Sequence, residues 1–209
     1  MNTLSWYYTP GALVILGITL AFSIIGLTNE NFKQQCMLHP YSIVKNKKLY
    51  TMFTSGLVHA DFSHLLFNML TYYFFAFQLE KIFLHTEHFI MLYIAGLLLC
   101  DVPTIYRQRN NPGYYSLGAS GAISAILFCM IVFEPTMGIR FLFIPVSIPG
   151  YVFGFLYLLY TTYASNRQLG NINHDAHLYG ALTGIVMAFL LNPQEAAHVM
   201  DKVLHRDGY

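Results

Sequence analysis

Residues 10–27, PGALVILGITLAFSIIGL, carry no charged side chain, and blocks of this kind recur along the whole chain. This patterning limits the fold more than any other feature, because a run approaching the roughly 20 apolar residues that cross a bilayer has few soluble homes. Further blocks lie at about 63–83, 89–106, 117–133, 148–163 and 176–191. Six spans are therefore expected, joined by short connections. Inside lipid only a helix satisfies its own backbone groups. The expected fold class is all-α: a polytopic membrane protein of six transmembrane helices, one domain over 1–209, with no room for a separate soluble domain. Composition agrees, since 56% of the 209 residues are hydrophobic and only 10% are charged. The first block does not read as a signal peptide. No Lys or Arg precedes it, and no small-x-small cleavage site follows.

A net charge of +1 gives no reason to expect a nucleic-acid partner. The three cysteines, Cys36, Cys100 and Cys129, are odd in number, and two fall inside spans, so no disulfide framework is implied. With six spans, both termini share a side with Lys81, Arg140, Lys202 and Arg206. The other side holds Lys33, Lys45, Lys47, Lys48, Arg107, Arg109 and Arg167. Cations favour the inner face, so this count places the termini outside, mostly on the strength of the 28–62 segment.

Polar side chains within spans are costly and point to function. Three stretches stand out. In GASGAISA, residues 118–125, Gly118, Gly121, Ala122 and Ala125 follow helical i, i+3, i+4, i+7 spacing, with Ser120 and Ser124 on an adjoining face. A packing seam explains the small residues; a nucleophile explains Ser120. In HDAHLYGALTG, residues 174–184, His177 heads a second smooth face of Gly180, Ala181 and Gly184. Two such faces can approach closely enough to bring imidazole and hydroxyl into hydrogen-bonding reach. In HADFSHLLFN, residues 59–68, His64 and Asn68 lie one turn apart and can both donate to an oxyanion. Helix capping by Asp61 or Ser63 accounts for the outer part of this cluster but not for Asn68.

Taken together, these stretches resemble the rhomboid family of intramembrane serine proteases over nearly the whole chain. The matching pieces are His64-x-x-x-Asn68 with His59 ahead of it, Gly118-x-Ser120-Gly121, and Ala176-His177-x-x-Gly180-x-x-x-Gly184, on spans two, four and six. The resemblance implies a rhomboid-like bundle with Ser120 as nucleophile and His177 as general base. His64, Asn68 and the Ser120 backbone N–H would form the oxyanion hole. His59, Gly118, Gly121, Gly180 and Gly184 would support the site. It implies no cofactor and no metal. The partners would be transmembrane protein substrates in the lipid bilayer, and the location a bacterial inner membrane. It also implies a cavity opening below the extracytoplasmic surface, a topology opposite to that of the charge count. Asp175, two residues from His177, points away round the helix, and His174 reads as a loop or interface residue, with the same cavity as its alternative.

The chain departs from the family pattern twice. Tyr50-Thr51 stands where many members have Trp-Arg. Ser124 stands where many have a tyrosine that packs on the catalytic histidine, so another group must hold the ring. Span five and the 164–175 connection carry no motif and read as a mobile entrance. Two other functions compete: an inactive rhomboid-like protein that binds helices, and a transporter or channel. The first characteristically lacks the serine or the histidine, and the second calls for embedded carboxylates and inverted repeats. Zinc chemistry lacks its H-E-x-x-H spacing, which HTEH at 85–88 does not supply.

Overall fold

The structure is a computed structural model that describes residues 9–83, 85–140, 146–170 and 172–205. Arg206, one of the cations counted above, and Asn171 in the 164–175 connection lie outside the described residues.

Helix α1, Pro10–Thr28, opens on a proline at its first position, where a missing N–H costs nothing. The 28–62 segment, expected only as a charged connection, folds into three short helices: α2 (Glu30–Cys36), α3 (Pro40–Asn46) and α4 (Thr51–Thr54). A 3-10 turn, Ser55–Leu57, follows. Asn29 caps α2 through Phe32 N–H, and Lys47 ends α3 in the left-handed region. Such short pieces are set by caps and turns and leave no long hydrophobic period to read.

Helix α5 runs Phe62–Phe83. Helices α6 (Thr86–Leu99) and α7 (Val102–Gln108) follow each other with little interruption. Helix α8 covers Ser120–Phe133, α9 Gly150–Arg167, α10 His174–Leu191 and α11 Pro193–His205. Each of the six expected blocks thus contains helix. The all-α expectation needs one correction, a two-stranded antiparallel pair, β1 (Gly138–Arg140) and β2 (Ser147–Pro149), between α8 and α9. Length and apolarity qualify two of the described helices to cross a membrane, Pro10–Thr28 and the continuous run Thr86–Gln108. His174–Leu191 joins them only together with Pro193–Asp201, from which it is bent by 104°.

Helix α8 sits in the middle, and every residue from Gly121 to Ile131 is buried. Its most extensive partner is α10, with α6, α5 and α9 around the remaining sides. The surrounding helices turn apolar side chains outward: Leu13, Ile18 and Ile25 on α1, Phe67 and Phe74 on α5, Phe155 and Leu159 on α9, Val186 and Leu190 on α10. Greasy faces on that scale suit a lipid solvent. Helices α5, α8 and α10 all begin at the same end of the bundle, and the predicted polar clusters lie in those first turns.

Candidate active site

The α8–α10 seam is made by residues without bulk. A methyl at Gly180 would meet the carbonyl of Gly121, and one at Gly184 the carbonyl of Ala125. The smooth faces expected from spacing are therefore set against each other, backbone to backbone. The seam also crosses α6, where a side chain at Gly96 would strike Ala125 at 2.7 Å. Behind Gly121 stands Cys100, whose sulfur would lie 2.5 Å from an added methyl.

This close approach carries His177 to Ser120. His177 Nε2 and Ser120 Oγ are hydrogen-bonded at 2.7 Å. Both residues are half-buried and line a cavity of about 770 Å³, shared with His64, Asn68, Gly118, Gly121 and His174. Ser120 is the first residue of α8, so its backbone N–H belongs to the turn that has no intrahelical acceptor. The chain reaches it through Gly118 at φ +114°, a backbone that L side chains rarely adopt. Space demands glycine there as well, since a methyl would lie 2.7 Å from the His64 ring.

Helix α5 starts on a cap: Asp61 Oδ1 accepts the His64 N–H at 2.8 Å. The capping expectation thus accounts for Asp61. Asn68 is nearly buried, and its Nδ2 donates to the His64 carbonyl at 2.9 Å, leaving a second amide hydrogen. The His64 ring meets the His59 ring edge-on at 4.9 Å.

His59 is fully buried, and its partners determine its tautomer. Ser23 Oγ donates its one proton to Leu57 O at 2.9 Å, so at 2.8 Å it must accept from His59 Nδ1–H. Nε2 is then the acceptor for the Ala119 N–H at 3.5 Å. The imidazole joins α1 to the residue before Ser120. Burial holds its pKa down at about 3; His64 adds to the effect and Asp61 opposes it.

Asp175 is engaged away from His177. It accepts from Arg107 Nη1 at 2.8 Å and from the Ser165 hydroxyl, tying α7, the end of α9 and the start of α10 together. Asn173 caps α10 through Ala176 N–H at 3.1 Å and receives Thr104 at 2.9 Å. His174 faces the cavity with its ring edge-on to His177, centroids 6.2 Å apart.

Sequence reasoning missed Tyr157 on α9. Its hydroxyl is 2.7 Å from Ser124 Oγ, and its ring stacks on His177. The available signal was Ser124 itself, a hydroxyl buried in span four that needed a partner from a neighbouring span. Among the described residues no group of three or more His, Cys, Asp or Glu side chains could hold a metal ion.

The family model for the rhomboid domain matches residues 46–194. Two relatives bear family names. "RHOMBOID-like protein 12, mitochondrial" of Arabidopsis thaliana is 29% identical over 194 residues, covering 83% of this chain and 56% of the plant protein. "Putative rhomboid protease YdcA" of Bacillus subtilis (strain 168) is 28% identical over 151 residues, covering 70% of this chain and 69% of that protein. The chain thus spans little more than half the length of the plant relative.

Proposed function

Because this chain belongs to the rhomboid family, whose members are integral membrane proteins, we propose that it is an intramembrane serine endopeptidase cutting other membrane proteins in or near their transmembrane segments. The observation that carries this reading is the 2.7 Å hydrogen bond between His177 Nε2 and Ser120 Oγ in a cavity that also receives His64, Asn68 and His174 within an otherwise apolar bundle.

The reading takes the domain as six membrane spans: α1, α5, α6 with α7, α8, α9 and α10. Four of these are too short or too polar to qualify alone, α10 reaching the length and apolarity of a span only together with Pro193–Asp201, and the other three have identifiable reasons. Helix α5 carries His64, Asn68, Glu80 and Lys81, α9 is rich in tyrosine, and α8 has 14 residues. At 1.5 Å per residue α8 is about 21 Å long against a hydrocarbon core of about 30 Å. A helix that short cannot reach both faces, and the reading sets its C-terminal end at one face and Ser120 below the other, with the cavity as its access to water. The membrane is taken as a bacterial inner membrane on the resemblance alone.

In the proposed reaction Ser120 Oγ attacks the scissile carbonyl carbon while its proton passes to His177 Nε2. The carbonyl oxygen becomes an oxyanion, facing the Ser120 N–H, the second Asn68 amide hydrogen and the His64 ring. Collapse breaks the C–N bond, and His177 returns the proton to the departing amine. A water molecule, deprotonated by the same imidazole, then hydrolyses the Ser120 ester and restores the hydroxyl.

Purified protein treated with a fluorophosphonate probe is expected to carry the label on Ser120 and to cleave a transmembrane reporter. Ser120→Ala is expected to lose both, by roughly 10⁴-fold or more, with its melting temperature unchanged. Cleavage retained in that variant would end the serine mechanism. An inactive helix-binding protein forecasts no labelling even in the wild type.

A further inference from the structure

The seam between α8 and α10 brings Ser120 and His177 together, but an imidazole held at one nitrogen can still swing about its Cβ. Three observations bear on what stops it. Ser124 Oγ donates to the Ser120 carbonyl at 2.9 Å, which uses its only proton, so the Tyr157 hydroxyl 2.7 Å away is the donor in their bond. The phenol is thereby fixed at its far end. Its ring lies 6.5 Å from the His177 ring with the planes 25° apart, an offset stack. Phe128 and Phe153 flank it with ring centroids at 5.2 and 5.7 Å, so it has little room to turn away.

One turn along, the pattern repeats. The Tyr160 ring meets His174 edge-on at 5.7 Å. Tyr157 and Tyr160 are three residues apart on α9; His177 and His174 are three apart on the antiparallel α10. The two helices therefore share a two-rung ladder of phenol on imidazole.

We propose that Tyr157 is the positioning residue for His177, supplied across space by α9 and latched to α8 through Ser124. This rests on the serine-protease reading given above. It changes the role expected of span five. The helix that reads as the entrance also aligns the base, so an outward movement of α9 withdraws the ring from His177 as it breaks the Ser124 bond. Substrate admission and proton transfer then require different positions of one helix, and the base is aligned only after closure.

Two readouts separate this role from a simple gate contact. A small fluorophosphonate reaches Ser120 without lateral entry of a helix, whereas a transmembrane reporter needs both entry and chemistry. Tyr157→Leu is expected to lower the labelling rate and the reporter kcat in parallel, by roughly 10- to 100-fold, with KM unchanged. Tyr157→Phe and Ser124→Ala both cut the phenol's hydrogen bond and keep the ring, and Ser124→Ala also gives up its bond to the Ser120 carbonyl. Each is expected to slow labelling by roughly three- to tenfold, and the double variant no further than Ser124→Ala alone.

Labelling at the wild-type rate in Tyr157→Phe and Ser124→Ala overturns the latch. So do losses that multiply in the double variant. A folded Tyr157→Leu that labels normally but cleaves slowly makes Tyr157 a gate contact and overturns the proposal. If Tyr157→Leu does not fold, the two mild variants and their double decide. Wild-type protein that fails to label at Ser120 removes the protease reading and this inference together. Labelled wild type with unaffected variants removes only this inference.

Discussion

Helix α5 carries His64 and Asn68 at one end and Glu80 at the other, and both ends bury polar groups in the same apolar bundle. They differ in saturation. Glu80 is 1% exposed, and its carboxylate is filled: Oε1 accepts from Gly11 N–H at 3.0 Å and the Thr86 hydroxyl at 2.8 Å, Oε2 from Ala12 N–H at 2.7 Å. It caps α1, whose own N-cap Thr9 makes no side-chain cap bond, and it places negative charge at the positive end of the α1 dipole. At the other end, Asn68 keeps a spare amide hydrogen and the His64 ring lines an open cavity. A polar group buried in a membrane bundle is thus no evidence of chemistry by itself. Donors left over and facing a cavity are.

The comparison breaks most visibly at Asn68 and His64. If their spare donors serve an oxyanion, Asn68→Ala and His64→Ala should each slow reporter cleavage by about 10²- to 10³-fold. Both should still take the fluorophosphonate label at Ser120, and both should melt near the wild type. A stable, fully active variant at either position removes that residue from the hole. Glu80→Ala should behave in the opposite way. It strands two helix N–H groups and a hydroxyl, which destabilises the fold by about 3 kcal/mol or more. The labelling rate of the protein that remains folded should not change. A thermal melt beside a labelling time course reads both. Normal stability with lost labelling would assign Glu80 to the chemistry and erase the contrast between the two ends.

Much of this was legible because the chemistry rides on helical spacing. Gly180 and Gly184 share a face by period alone, and that face rests on Gly121 and Ala125. Asp175 sits round the helix from His177, and it pairs with Arg107. The apolar block at 117–133 begins three residues before α8, because Leu117 to Ala119 continue the apolar composition while Gly118, at positive φ, prevents the helix from starting earlier. The Tyr157–Ser124 bond was not legible. It joins residues 33 apart on different helices, and a tyrosine in a greasy run looks like packing until its neighbour is known. Glu80 is hidden for the same reason, since the two N–H groups it accepts from lie 69 and 68 residues away and only Thr86 is near in sequence.

His59 tests the saturation argument within the site itself. Like Glu80 it is fully buried and fully used, donating to Ser23 and accepting from Ala119, yet it stands against His64. Saturation predicts a structural phenotype with a definite pH signature. Burial, aided by His64 and opposed by Asp61, lowers its folded pKa from 6.5 to about 3. Between those values the unfolded chain binds a proton that the folded protein refuses, so stability falls as pH drops through 6.5 and the loss levels off near 3. The slope is about 1.4 kcal/mol per pH unit, or about 2 kcal/mol by pH 5. His59→Gln removes the titrating group. Its stability at pH 7 should be lower than that of the wild type, and its further loss between pH 7 and 5 smaller by about that 2 kcal/mol. Denaturation curves for both proteins across this range measure the difference. Parallel pH profiles would mean that the acid sensitivity lies in other groups, and that His59 is not held neutral by its two hydrogen bonds.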